Sequence, residues 1–543
     1  MFDVNHQVYA SNRYPVIARN GMVCTGHNLA SAAGLEMLRK GGNAIDAAIA
    51  TAAALTVVEP TANGLGSDAF AIVWFKNKMY GLNSSGRSPQ GITIEKVKDL
   101  HGNISRMPTD GWTPVTVPGA VKAWTELHER FGVLPFKEVL EPAIRYARDG
   151  FPLTPEISRM WKQACERFKS HRNEDAFQEW FATFHKEGVS LEPGSIMVLK
   201  HHAKSLQMIA DSKGKAFYEG ELAKAIDADS KKHHGFLRYE DLAAHEVLWQ
   251  EPLHVHYHDH DIWELPPNGQ GIVALHALNT LKEFHFEKRD EKMFHHQFEA
   301  MKMAFADGMA TISDPGAAHP DVLRMIDASF GKMRASQIQE QALMPQVAMP
   351  YKSGTVYLCT ADCEGNMVSF IQSNYMGFGS GIVVKDTGIA LQNRGADFSL
   401  CETDVNVLRP QKRSYHTIIP GFITRNGKAL GPFGVMGGYM QPQGHVQVAM
   451  NLIDFHLNPQ MALDAPRWQW IKDKTFRVEK SFDATIIDAL RKRGHQICVE
   501  EEVSSFGRGQ MIMRMVCMSV AVNHVLIAIL PAIKKVSYDT FLF

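Results

Sequence analysis

Ser353-Gly354-Thr355-Val356-Tyr357-Leu358-Cys359-Thr360-Ala361-Asp362 is followed by Cys363-Glu364-Gly365-Asn366 and then by Met367-Val368-Ser369-Phe370-Ile371-Gln372-Ser373-Asn374. Val356, Leu358 and Thr360 alternate along the first run and Glu364-Gly365-Asn366 supplies a turn, so the stretch reads as a β-hairpin. Folding about Glu364 pairs positions whose numbers sum to 728, which sets Thr355 opposite Ser373. Gly354 and an irregular segment containing Pro345 and Pro350 precede the threonine. Breaking the Gly354–Thr355 bond would make Thr355 a new N-terminus, with its hydroxyl beside its own α-amine. An α-amine of ordinary pKa, about 7.7 to 8.0, is a base of useful strength near neutral pH, which is the chemistry of an N-terminal threonine nucleophile. On spacing alone, a Gly-Thr ahead of a strand is commonplace.

Four further segments change that weight. The first comprises Gly26-His27 to Ser31, Gly41-Gly42-Asn43-Ala44-Ile45-Asp46, Val57-Val58-Glu59-Pro60 and Gly64-Leu65-Gly66. The others are Pro266-Pro267-Asn268-Gly269-Gln270-Gly271, then Gly379-Ser380-Gly381-Ile382 with Leu391-Gln392-Asn393-Arg394-Gly395-Ala396-Asp397-Phe398, and Met436-Gly437-Gly438 through His445. With the hairpin, in this order, they resemble the γ-glutamyltranspeptidase family of self-cleaving N-terminal-nucleophile hydrolases from about Gly21 to about Arg508.

The resemblance implies an α/β fold, a four-layer αββα sandwich of two stacked antiparallel sheets flanked by helices. It implies cleavage into a large segment, 1–354, and a small one, 355–543, which together make one structural domain. Thr355 aligns with the nucleophile, Ser373 with the hydroxyl that holds the freed amine, and Gly437 and Gly438 with the backbone donors of an oxyanion hole. Asp397 aligns with the carboxylate that grips the α-amine of a γ-glutamyl substrate. Around it the chain departs from the usual transpeptidase: Tyr375, Arg394 and the pair His416-Thr417 stand where the family commonly has Asn, Glu or Gln, and a serine pair. Ser85 replaces the arginine that clamps the α-carboxylate, and Arg87 lies two residues on.

Two like charges about 4 Å apart cost about 4 kcal/mol at an effective ε of 20, so an arginine here disfavours a substrate ammonium. The chain is therefore most similar to the divergent branch that includes oxamate amidohydrolase and glutaryl-type cephalosporin acylases. The expected activity is hydrolysis of a small-molecule amide whose acyl group carries a carboxylate. The alternatives are a glutathione hydrolase or γ-glutamyl transferase, and an uncleaved homologue that only binds. Between Phe398 and Lys412 the chain is too short for the lid loop of many transpeptidases, so an open cleft is expected. Beyond Gln510 the family continues through another strand, which the Val516–Phe543 stretch does not resemble, so an unpaired sheet edge is expected.

Composition narrows the partners. Lys and Arg number 57 against 58 Asp and Glu, leaving no basic surplus for nucleic acid or an anionic membrane. The N-terminus lacks a basic segment followed by an apolar run, and the longest uninterrupted apolar run near the C-terminus is far short of a membrane span, so a cytoplasmic location is expected. Seven cysteines form no zinc or disulfide framework. Neither a cofactor nor a metal is implied, and the oligomeric state stays open, a homodimer included. The tract His254-Val255-His256-Tyr257-His258-Asp259-His260 reads as one solvated strand rather than a metal site, and His295-His296 with Glu299, on a helix, is likewise not read as a metal site. Helices are expected from Ser31 to Lys40 and, apolar nearly all round, from Ala44 to Val57. Gly331 to Gly354 reads as an exposed connector.

Overall fold

In the computed structural model, residues 14–186, 188–316, 321–344, 354–514 and 518–522 are described. The hairpin is formed by strands Gly354–Asp362 and Met367–Tyr375. It lies within a six-stranded antiparallel sheet, in the order Gly21–Thr25, Gly354–Asp362, Met367–Tyr375, Asp68–Phe75, Lys78–Ser84, Leu248–Gln250. Both faces of the first hairpin strand are covered. Val356 and Leu358 point to the helices, and Tyr357, Cys359 and Ala361 point to a second sheet, which explains a strand without polar alternation.

The second sheet has seven strands, in the order Val16–Ala18, Met518–Val522, Gly509–Met513, Lys428–Val435, Gly421–Arg425, His260–Glu264, Leu253–Tyr257. Between the sheets Met22, Tyr357 and Ile371 meet Phe422 and Ile512. Helices Asn28–Arg39 and Ala44–Val58 cover the outside of the first sheet, and Gly271–Leu281, Glu291–Thr311 and Met440–Ile453 that of the second. This is the expected αββα sandwich.

Helix Ala44–Val58 is buried along its whole length. Its N-terminus is closed by a capping box, with Asn43 Oδ1 accepting from the N–H groups of Ile45 and Asp46 while Asp46 Oδ2 accepts from the Asn43 N–H. Asp362 Oδ2 accepts from the Ala44 N–H at 3.0 Å, so the far end of the hairpin strand is tied to the start of this helix.

The expected register holds from Val356↔Gln372 to Ala361↔Met367 and then shifts, so that Gly354 pairs with Tyr375. Ser373 and Asn374 together face Thr355 alone, which makes a β-bulge at the proposed cleavage point.

Three expectations are corrected. Residues 518–522 form a strand that pairs with Gly509–Met513 on one side and with Val16–Ala18 on the other, so the expected unpaired edge is filled by backbone pairing that needs no family-like sequence. The histidine tract is two short strands folded back at His258, whose φ of 54° makes the turn, rather than a single strand. The connector begins with a helix, Ala328–Ser336, and residues 345–353 lie outside the described residues.

Candidate active site

Thr355 opens the bulge and is only 1 % exposed. Its Oγ1 donates to Ser373 Oγ at 3.2 Å. Ser373 Oγ donates in turn to the carbonyl oxygen of Gly354 at 2.8 Å and accepts from the Tyr375 N–H at 2.8 Å. The Ser373 hydroxyl, expected to hold a freed amine, thus polarises the Gly354 carbonyl while the chain is intact. The bulge makes this geometry by turning Tyr375 to φ 75°, a conformation that a bulky side chain rarely adopts.

Tyr375 connects this centre to a buried charge cluster. Its hydroxyl donates to Asp397 Oδ1 at 2.6 Å, and Tyr439 Oη donates to the same oxygen at 3.3 Å. Arg394 Nη1 donates to Thr417 Oγ1 at 2.8 Å, and its guanidinium stacks 4.1 Å from the Tyr375 ring centre. The Arg394–Asp397 ion pair is long, 3.6 Å from Nη1 to Oδ2, and both side chains are 1 % exposed. Arg394 Nε and Nη2 and Asp397 Oδ2 have no hydrogen-bond partner among the described residues. Burial pushes the Asp397 carboxyl up to about 6 against the pull of Arg394 and the two phenols.

His416 is fully buried and donates through Nε2 to Asp68 Oδ2 at 3.0 Å, while its Nδ1 accepts from the Ile418 N–H. Burial, and then Arg394, hold its pKa down at about 4, so this imidazole is neutral near pH 7. Asp68 pairs across the sheet with Ser373 and also accepts from the Gly86 N–H and from Gln392. Arg87 turns elsewhere, to Asp314 and the Gln411 carbonyl, with its side chain 44 % exposed.

Gly437, at φ 131°, and Gly438, at φ 61°, adopt conformations that favour glycine and lead into the N-terminus of helix Met440–Ile453. Gln270 Nε2 donates to the Gly438 carbonyl at 2.9 Å, which fixes the turn. Positive helix ends and exposed backbone N–H groups suit a developing oxyanion.

Thr355, Gly354, Gly437 and Tyr439 open onto a cleft of about 490 Å³. One wall is helix Pro155–Phe168, which presents Glu156, Arg159, Met160, Gln163 and Arg167; Trp470, Arg477 and Arg508 face it. Helix Pro155–Phe168 therefore borders the cleft beside Thr355. Arg87, Arg394, Asp397, His416 and Thr417 do not line this cleft; Tyr439 is the side chain that both borders it and reaches Asp397.

Sequence reasoning missed Tyr439, Asp68 and the pair formed by Arg508 Nη2 and Glu59 Oε1 at 2.7 Å. Glu59 stands inside a quoted motif and Arg508 at the end of the resembling stretch, but nothing in their spacing brings residues 449 positions apart together.

Among the described residues two other groups could hold a metal by composition: His295, Glu299 and His495, and Glu179, His201 and Asp386. In the first, Lys302 Nζ lies 2.7 Å from Glu299 Oε1, so an ammonium already supplies the positive charge.

The sequence model of the gamma-glutamyltranspeptidase family matches residues 30–522. The chain belongs to this family. Among gamma-glutamyltranspeptidase relatives, the glutathione hydrolase-like YwrD proenzyme of Bacillus subtilis is 36 % identical over 496 residues, 89 % of this chain and 92 % of that protein. The oxamate amidohydrolase proenzyme of Klebsiella pneumoniae is 32 % identical over 511 residues, 92 % and 95 % of the two chains. The crystal structure of a cephalosporin acylase from Bacillus halodurans superposes with a TM-score of 0.93 at 52 % identity, covering 96 % of this chain and 98 % of that one. Among the described residues of this gamma-glutamyltranspeptidase homologue, no helix is long and apolar enough to cross a membrane.

Proposed function

We propose that the protein is a self-processing N-terminal threonine amidohydrolase whose substrates carry a carboxylate on the acyl group. The observation that carries the reading is the relay Thr355 Oγ1 to Ser373 Oγ to Gly354 O. In the first stage Thr355 Oγ1 attacks the Gly354 carbonyl carbon and the charge collects on the oxygen that Ser373 donates to. The C–N bond breaks, its nitrogen takes the proton, and water hydrolyses the resulting ester to give 1–354 and 355–543. In the second stage the freed amine takes the Thr355 hydroxyl proton as the oxygen attacks a substrate amide, with Gly437 and Gly438 N–H groups facing the new oxyanion.

Ser373→Ala should slow the first stage by about 10²-fold, the usual effect of losing one oxyanion donor. Densitometry of the uncut band over time measures it, and Ser373→Thr should restore the rate. An unchanged rate would remove Ser373 from the step.

The acyl preference follows from the buried cluster. A guanidinium with two unpartnered nitrogens beside a long ion pair is costly in a ligand-free protein and is relieved by an incoming carboxylate. Arg394 would hold that carboxylate, and Asp397 in its neutral form would donate to it. The sign of the pH dependence follows. Below about 6 Asp397 is protonated and compatible with an anion, and above that value it is charged and repels one. KM for a glutaryl or oxamate-type amide should therefore rise with pH through this window, and Asp397→Asn should flatten the profile. A panel in which glutathione or γ-glutamyl anilides turned over far better than these amides would favour a γ-glutamyl enzyme.

A further inference from the structure

Cys24 and Cys359 are direct partners in the antiparallel pairing of Gly21–Thr25 with Gly354–Asp362. Both lie in the apolar layer between the sheets, 2 % and 0 % exposed, and the two side chains interact with each other. Among the described residues no other two cysteines are strand partners. Opposed residues on antiparallel strands keep their Cβ atoms about 4.5 to 5.5 Å apart, and a disulfide needs about 3.5 to 4.5 Å, so a movement of about 1 Å joins them. The pair also straddles the Gly354–Thr355 bond, with Cys24 on one side of it and Cys359 on the other.

We propose that Cys24 and Cys359 form a disulfide when the protein meets hydrogen peroxide, and that this bond staples the large fragment to the small one. The stapling rests on the cleavage proposed above, whereas the disulfide itself does not. One sulfur attacks a peroxide oxygen, the O–O bond breaks, and a sulfenic acid and water are formed. The other sulfur then attacks the sulfenic sulfur, the S–S bond forms, the S–O bond breaks, and a second water leaves. Two thiols lose two electrons and two protons, and the peroxide is reduced to two waters.

Burial sets the pace. It holds the Cys359 thiol well above its ordinary range, and the neighbouring Cys24 adds to this, so the buried pair reacts only when the local structure opens. Strand Gly21–Thr25 is the element that can open, because it ends its sheet and pairs within that sheet with Gly354–Asp362 alone. The exposed Cys363, Cys401 and Cys498 should be consumed first.

The test treats purified, self-cleaved protein with hydrogen peroxide, alkylates it unfolded, and combines a non-reducing denaturing gel with a peptide map. The expected result is that both fragments merge into one band at the mass of the uncut chain, that reductant separates them again, and that one linked peptide pair joins Cys24 to Cys359. Cys24→Ala and Cys359→Ala should each keep two bands. The uncut Thr355→Ala protein should yield the same linked peptides, which separates failure of the disulfide from failure of the cleavage. Recovery of both cysteines alkylated after Cys363, Cys401 and Cys498 have reacted would overturn the proposal, as would links through other cysteines only. If an alanine variant does not fold, the peptide map of the unaltered chain decides by itself.

Discussion

Replacing Thr355 by alanine is expected to leave a single intact chain and to lower amide hydrolysis by at least about 10³-fold. One hydroxyl is asked to attack twice, first at Gly354 and then at the substrate, and alanine supplies no nucleophile for either step. The fold should survive, because the hydrogen bond lost is the one to Ser373 Oγ, which still accepts from the Tyr375 N–H. Thermal unfolding should therefore change little while the gel changes completely. N-terminal sequencing of the small band from the unaltered protein should begin Thr355-Val356-Tyr357-Leu358. Two bands from the alanine variant, or turnover without any small band, would place the nucleophile elsewhere.

The second large effect is expected at Arg394. Removing the guanidinium that would pair with a buried substrate carboxylate is expected to cost about 2 kcal/mol or more, which is about 30-fold in kcat/KM. Arg394→Gln should show this loss mainly in KM for a carboxylate-bearing acyl amide, and little of it for a neutral acyl amide of similar size. Arg394→Lys should not restore the lost affinity, because a point charge cannot keep both the Thr417 hydrogen bond and the stacking on Tyr375. The single variant leaves Asp397 without its cation, so the double variant Arg394→Gln with Asp397→Asn separates lost binding from lost stability. An unchanged KM would mean that Arg394 does not hold the substrate carboxylate.

The sequence makes the hairpin legible because the turn residues Glu364-Gly365-Asn366 are a local signal, and a register follows from the turn by counting. Counting could not reveal the bulge, since one additional residue at Ser373–Asn374 leaves the pattern of residue types unchanged and shows only in the pairing. Arg394 and Asp397 are legible as neighbours three positions apart, but that Arg394 Nε and Nη2 and Asp397 Oδ2 find no hydrogen-bond partner among the described residues is a property of packing. The wall formed by helix Pro155–Phe168 carries no motif that marks it as part of a site, because the side it presents to the cleft is mixed in polarity. The final strand escaped because backbone pairing at 518–522 asks little of side-chain identity.

The interleaving of strands has a consequence for refolding. In the hairpin sheet the order runs from a strand before residue 354, through two after it, to three before it, and the other sheet alternates as well. A precursor assembles these strands within one molecule, whereas fragments separated by denaturant must find each other by diffusion, so recovery becomes second order and falls with dilution. Processing would then convert a reversible folding equilibrium into a product held by its unfolding rate alone.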